Sequence, residues 1–458
     1  MMPKSIPNIP AWKTIWNAPK FLTNPIKMMR ANIEKLGDTY SFKLGGHPAI
    51  FTAKPEFIQY VLQKNHRNYI KSPPHFEKIA RYLGYGLLNL DGKKWLRQRR
   101  LIQPGFHRER IANLANIMNT VIDDFLQNFD EKIEVEAIDM YNEMQHVAFQ
   151  IISQSIFNLN IDTQELSFAR ERIDHLQDYI IKEIRTPFMI PYLKWSGQTG
   201  QAKKYAEELD EILIRLIQER KVSQESYDDL LQMLLDARYE DTGEPMTDQQ
   251  LLDEVKILFV AGHETSANAL TWTWYLLAKN PEWVAILRQE VAEILGDKKP
   301  SYADLPKLIK IKQVIQESMR LFPPAWMTDR MALEDDEFEG IAIPKGTMVA
   351  TFIYGAHHHK DYWDAPDDFH PERFAEAQKA NLNNAAYLPF GAGPRLCIGN
   401  SFAMMEMQLV LARMIAHYDV QLLSDEEVKP KALVTLKPWS GLGLRVVRRV
   451  GVDAEVSE

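Results

Sequence analysis

The stretch FGAGPRLCIG, residues 390–399, holds the single cysteine of the chain, Cys397, among three glycines, a proline and an arginine. One thiol cannot close an intrachain disulfide, so Cys397 is there for its own reactivity or for a ligand. A zinc site wants three or four Cys or His ligands at short spacing, and this segment offers one. The run His357, His358, His359 has no companion cysteines and reads poorly as a metal site. A cysteine protease needs a partner histidine in space, which sequence leaves open, but glycines tightly flanking the thiol suit it badly. A thiolate holding a haem iron from one side fits better. Glycines such as Gly391 and Gly399 turn the chain beneath a porphyrin, and free backbone N–H groups reach the sulfur.

Three further groups could do chemistry. In AGHETS (261–266), Ala261 and Gly262 would let a flat ligand approach a helix backbone, while Glu264 and Thr265 would handle protons beside it. The bland alternative is a helix-packing glycine next to a solvated Glu-Thr pair. Glu317 and Arg320 in QESMR share one helix face, and FHPERF (369–374) adds Arg373 from a proline-containing loop. Taken alone, these are a surface pair and a turn. Lys93, Lys94, Arg97, Arg99 and Arg100 make a basic patch within eight positions.

Long helices must carry these residues. Apolar positions recur at three- and four-residue spacing through 108–128, 138–158, 165–184 and 202–237. The longest helix runs from about 248 to 279, opened by a capping box at Thr247 and Gln250 and stopped by Asn280-Pro281. It is long enough to cross a domain, so AGHETS lies in the core. Alternation in TYSFKLGGHPAIFTA suggests a hairpin at Gly45-Gly46, and β-like pieces return near 338–354 and 431–448. The fold class is mainly α with small β-sheets. The chain reads as a single domain, 1–458, with a β-containing part to about 75 and a helical part from about 76.

Composition narrows the partners. With 45% hydrophobic and 25% charged residues the chain is in the globular range. A formal net charge of -8 argues against general nucleic-acid binding. Prolines and lysines interrupt the first 25 residues, and no later segment supplies a membrane span. The expectation is a cytoplasmic monomer without integral membrane association.

FGAGPRLCIG matches in full the Phe-Gly-x-Gly-x-Arg-x-Cys-x-Gly signature of the cytochrome P450 superfamily, and the chain resembles a soluble bacterial-type member. Trp95 to Arg99, AGHETS, Glu317 with Arg320, and FHPERF fall in that family's order over nearly the whole chain. The resemblance implies haem b between the long helix and the cysteine loop, with Cys397 as axial thiolate and Phe390 packed near it. It implies Arg395, Trp95 and Arg99 as haem-propionate partners and Arg330 as a further candidate. Glu317, Arg320 and Arg373 become a buried structural cluster, Thr265 the hydroxyl that bonds dioxygen, Glu264 the proton relay, and His263 a packed core histidine. The implied reaction puts one atom of dioxygen into a C–H bond or an alkene. Electrons come from NAD(P)H through a separate ferredoxin or flavodoxin with its reductase, docking on the patch at Lys93, Lys94, Arg97 and Arg100. A peroxide-dependent peroxygenase would not need the Glu264-Thr265 pair, and neither would a non-catalytic haem sensor or carrier. Segments 75–90 and 178–195, PPAWMT (323–328) and Trp439 would line an apolar pocket for a fatty acid, terpenoid, carotenoid or steroid-like substrate. Arg185 and Lys182 would meet a carboxylate or stand solvated. PFMIPYLKW (187–195) reads as a lid over that pocket or as a membrane contact.

Overall fold

The computed structural model describes residues 5–44, 47–133, 137–158, 163–223, 225 and 227–449. Its spine is the helix Asp248–Lys279. The Thr247 hydroxyl accepts from the Gln250 N–H (3.2 Å), and the Gln250 side chain accepts from the Thr247 N–H (3.1 Å), so two N-terminal donors are satisfied reciprocally. Asn280 ends the helix and Pro281 opens the next. At 1.5 Å per residue it spans roughly 48 Å. Both faces are covered: Met140–Phe157 packs along it most extensively, with Gln198–Val222, Ile309–Leu321 and Asn400–His417 around the rest.

The other periodic stretches form Arg108–Ile133, Met140–Phe157 and Thr163–Arg185, within a few residues of expectation. The stretch 202–237 is not one helix. It divides into Gln198–Val222 and Leu230–Asp236. Asp229 is the reason: its carboxylate caps the Gln232 N–H (2.8 Å) and pairs with buried Arg220 (2.7 Å). Local polar bonding thus overrides a continuous apolar period.

A five-stranded sheet has the order Thr39–Leu44, His47–Thr52, Met348–Thr351, Thr328–Ala332, Tyr69–Ile70. The hairpin expected around Gly45-Gly46 forms with Thr39 opposite Thr52, although its tip lies outside the described residues. The second strand then pairs in parallel with Met348–Thr351, Ala49 facing Met348. The β-rich N-terminal region therefore shares one sheet with strands from far along the chain. The stretch 338–354 gives part of a small hairpin, the strand Met348–Thr351 and the start of the short helix Ile353–His357. The C-terminal β region holds the hairpin Pro430–Ala432/Leu436–Pro438 and the strand Gly443–Arg448, which pairs with Ile138–Asp139 and Tyr418–Leu422.

The hairpin's second strand lies on the spine. Trp272 Nε1 donates to the Leu436 carbonyl (3.0 Å) and Asn268 Nδ2 to the Thr435 hydroxyl (2.9 Å). No helix of the described residues is long and apolar enough to cross a membrane.

Candidate haem site

Positive φ at Gly391 (75°) and Gly393 (66°) turns the chain ahead of Cys397. Gly393 is needed for space as well, since a Cβ there would lie 2.2 Å from the Leu62 carbonyl oxygen. The turn closes when the Cys397 N–H donates to the Phe390 carbonyl (3.0 Å), and Phe390 packs against the main core. Cys397 is exposed by surface area, yet crowding by protein pushes its thiol pKa up. The Gly399 N–H and the Arg99 charge act in the opposite direction, favouring a thiolate.

Around the thiol is an excess of cations. Arg99 donates to the Leu396 carbonyl (3.0 Å), fastening the helix Gly92–Ile102 to the cysteine loop. Arg395 stacks over the buried Trp95 ring at 3.9 Å, donates to the Leu90 carbonyl (2.8 Å) and pairs with Asp91. Asp91 stands at the N-cap of that helix but caps nothing there, because its carboxylate takes Arg395 and the Lys71 N–H (2.7 Å). Arg330 is buried, held by the Asp329 carbonyl (2.6 Å) and the Thr328 hydroxyl (3.1 Å). Lys71 is buried too, bonded to the Leu88 carbonyl. Burial, then Arg330 and Arg395, hold its pKa well below the usual lysine range. Burial also lowers Arg330, and lowers Arg395 to about 10. Four basic side chains, Lys71, Arg99, Arg330 and Arg395, thus meet two carboxylates, Asp91 and Asp329, and the protein alone leaves Lys71 biased toward its neutral form. Two further carboxylates would balance the arginines and restore the charge of Lys71, which fits the two propionates of a haem.

Lys71 and Asp91 were not legible as site residues. Asp91 had a weak signal, an N-cap position before a basic helix. Lys71 had none.

On the spine, Ala261 is exposed although most of the helix is buried. Gly262 is otherwise placed than expected. A Cβ there would come within 2.7 Å of Ile152 on the helix Met140–Phe157, so this glycine serves helix packing rather than ligand approach. The Thr265 hydroxyl donates to the Ala261 carbonyl (2.8 Å), leaving its lone pairs to accept. Glu264 is buried, and desolvation raises its pKa; Lys437 and the Thr435 hydroxyl partly offset this, while Asp174 and Asp178 add to it. His263 packs edge-on to Phe149 (5.2 Å) with neither ring nitrogen in ordinary hydrogen-bonding geometry, and burial lowers it to about 3. It is a neutral core histidine.

Glu317 and Arg320 are fully buried and bidentate, at 2.7 Å for each contact. Arg320 also donates to the His357, Pro366 and Asp368 carbonyls, and Arg373 approaches Glu317 at 3.4 Å. The three residues form one cluster that ties the helix Ile309–Leu321 to the loop carrying FHPERF. The three histidines have separate tasks. His357 accepts from the Leu388 N–H (2.8 Å), His358 contacts the Tyr354 carbonyl (2.8 Å), and His359 pairs with Asp38 (3.0 Å). No metal-binding cluster of His, Cys, Asp or Glu occurs among the described residues.

A glycine-turned thiol, a core-crossing helix with an acid-alcohol pair and a cation-rich rim define the haem-thiolate class. The Cytochrome P450 family model matches residues 6–440, and the chain belongs to that family. It is similar to cyclooctatin synthase of Streptomyces melanosporofaciens, 32% identical over 89% of this chain and 88% of the relative. It is also similar to cyclooctat-9-en-7-ol 5-monooxygenase of the same organism, 31% identical over 91% and 88%. A third relative, pentalenene oxygenase of Streptomyces avermitilis, is 28% identical over 95% of each chain. The protein is a cytochrome P450 monooxygenase, a haem-iron oxidoreductase.

Proposed function

We propose that this enzyme oxidises an apolar alkene or alcohol, using dioxygen and electrons from NAD(P)H delivered by a separate ferredoxin or flavodoxin. The observation that carries the site assignment is the excess of cations beside Cys397. In this reading Cys397 would ligate haem b, and Lys71, Arg99, Arg330 and Arg395 would hold the two propionates, with Trp95 stacked under Arg395. Gly391 and Gly399 shape the loop, Phe390 packs beside the thiol, and Ala261 leaves room on the opposite side. The bound haem supplies the oxidising centre at which dioxygen is split, one oxygen atom entering the substrate and the other leaving as water.

The chain's own residues manage protons and orientation. Burial keeps the Glu264 carboxyl protonated to higher pH than a free one, so it holds a proton next to the reaction site. Lys437 and Thr435 steady its charged form once the proton has left. Thr265, its own proton given to Ala261, accepts hydrogen bonds beside the oxygen site. A peroxide-driven enzyme or a carrier has no use for this pair.

The substrate class rests on the relatives' names, which denote an alkenol and an -ene hydrocarbon, and on the cations expected to meet a fatty acid. Lys182 is exposed and donates to Gln198 (2.6 Å). Arg185 is not solvated as expected; it is half-buried and bonded to the Ala432 carbonyl, and burial lowers it to about 10. The test is a titration of the ferric protein with alkenes, polycyclic alcohols and fatty acids, following the Soret band. A high-spin shift with alkenes or alcohols is expected. A shift with fatty acids alone overturns the substrate class. Retention of a thiolate-type ferrous carbonyl spectrum by Cys397→His overturns the ligand.

A further inference from the structure

The ten tryptophans fall into two groups. Six are at most 9% exposed, while Trp12, Trp16, Trp195 and Trp439 are exposed by 65, 78, 85 and 55%. All four lie in stretches without a single Asp or Glu: residues 1–33, 184–206 and 428–441. The chain as a whole has 62 acidic residues and a net charge of -8, so these stretches depart from its general character. The acidic run 425–427 stops just short of the third.

The elements involved adjoin one another. The Arg185 guanidinium, at the end of Thr163–Arg185, lies 5.9 Å from the Phe21 ring of the helix Ala11–Thr23 and donates to the Ala432 carbonyl in the hairpin Pro430–Ala432/Leu436–Pro438. Three residues further on, Phe188 is 71% exposed, followed by exposed Tyr192 and by Trp195. Lysines accompany the rings: Lys13 over Trp12 (5.3 Å), Lys431 over Trp439 (5.4 Å), with Lys20 and Lys194 exposed between them. Exposed tryptophans set among lysines, on segments that carry no carboxylate of their own, are the composition that partitions into the headgroup layer of an anionic bilayer. The acids beside the hairpin, Asp174 and Asp178, belong to the helix Thr163–Arg185, and Asp174 faces Lys437. A lid over a pocket would bury these rings inward and would gain nothing from excluding carboxylates.

We propose that the helix Ala11–Thr23, the segment 187–195 and the end of the hairpin near Trp439 form one face that docks on an anionic lipid surface. The docking is peripheral, with the rings at headgroup depth. The hairpin that ends at Trp439 also carries Thr435 and Lys437, neighbours of Glu264, so the docked face leads toward the reaction site. An apolar substrate dissolved in lipid would enter there without crossing water.

The test is flotation of the purified holoenzyme with vesicles of phosphatidylcholine alone or mixed with phosphatidylglycerol. Binding is expected to the mixed vesicles only, weakening as ionic strength passes roughly 0.1 M, where the Debye length is about 10 Å. Trp12→Ser with Trp16→Ser, and separately Phe188→Ser with Trp195→Ser, should each lower partitioning by about tenfold or more, with the ferrous carbonyl spectrum unchanged. Ile309→Ser, at an exposed apolar residue elsewhere, should leave partitioning as it was. Absence of flotation with either vesicle overturns the proposal. So does undiminished flotation of both double variants. Lipid-independent self-association that both double variants abolish would assign the face to a second copy of the chain. Flotation needs no turnover, so its outcome is independent of the substrate proposed above.

Discussion

Glu406 projects from the helix Asn400–His417 into the core with both carboxyl oxygens outside ordinary hydrogen-bonding geometry. Burial raises its pKa to about 8, and the nearby Ser266 hydroxyl offsets only part of this. An unfolded glutamate titrates near 4.3. Between these values the folded chain holds a proton that the unfolded chain has lost, so stability falls as pH rises, by up to about 1.4 kcal/mol per unit. The contribution is complete below the unfolded pKa and gone above the folded one. Glu406→Gln keeps the neutral shape and cannot ionise. Its Tm should come closest to the parent's at about pH 4, below the unfolded pKa, and exceed it increasingly from about pH 5 to 8. Parallel Tm curves for the two proteins across that range would show that Glu406 is ionised in the fold. Glu406 carries no local signal in the sequence, whereas Cys397 does, because its purpose is written in the glycines beside it. Glu317 and Arg320 are an intermediate case: spacing predicts their pairing, but only the carbonyls gathered around Arg320 make the pair buried.

At the scale of the element, the spine helix was legible almost to the residue, since its start and stop signals are local: a capping box and an Asn-Pro break. The stretch 202–237 was misjoined because the ion pair from Asp229 to Arg220 is a tertiary choice that periodicity does not record. Gly262 shows the same limit. Its position in the motif suggested room for a ligand, while the contact that requires it comes from Ile152 on another helix. Gly262→Ala gains up to about 1 kcal/mol of helix propensity but drives a methyl into Ile152, and overpacking of this kind costs about 1–3 kcal/mol. The single variant should be less stable than the parent. Shortening the neighbour with Ile152→Val or Ile152→Ala should recover much of the loss, giving a coupling of about 1 kcal/mol or more in a double-mutant cycle. The Soret position should not move in either variant. A shifted Soret band with additive stabilities would return Gly262 to the ligand side.

For the molecule as a whole, the sequence showed a net charge but not its layout, because a patch is made by elements distant in the chain. Two basic surfaces emerge, and they differ in kind. The face bearing the exposed tryptophans mixes lysine with apolar area. The other lies on the helix Gly92–Ile102, where Arg99 fastens to the cysteine loop and Lys93, Lys94 and Arg100 stand exposed. Arg97, expected among them, is partly withdrawn: it pairs with Asp241 (3.0 Å) and stacks on Tyr239 (3.7 Å). A surface in which charge predominates, with Leu96 its exposed apolar residue on that helix, suits fast, reversible encounter with an acidic electron donor, in which long-range attraction raises the association rate and salt screens it. Reversing the charge at Lys93, Lys94 and Arg100 together should lower the second-order rate of haem reduction by an acidic ferredoxin by about tenfold or more at low salt. It should also flatten the dependence of that rate on ionic strength, because the attraction being screened has gone. Reversing Arg97 alone should do less, since Asp241 already neutralises it. The same triple reversal should leave flotation with anionic vesicles unchanged, while the tryptophan variants should leave reduction unchanged. If both sets of variants moved both readouts, a single basic surface would serve donor and lipid, and electron delivery would compete with membrane docking.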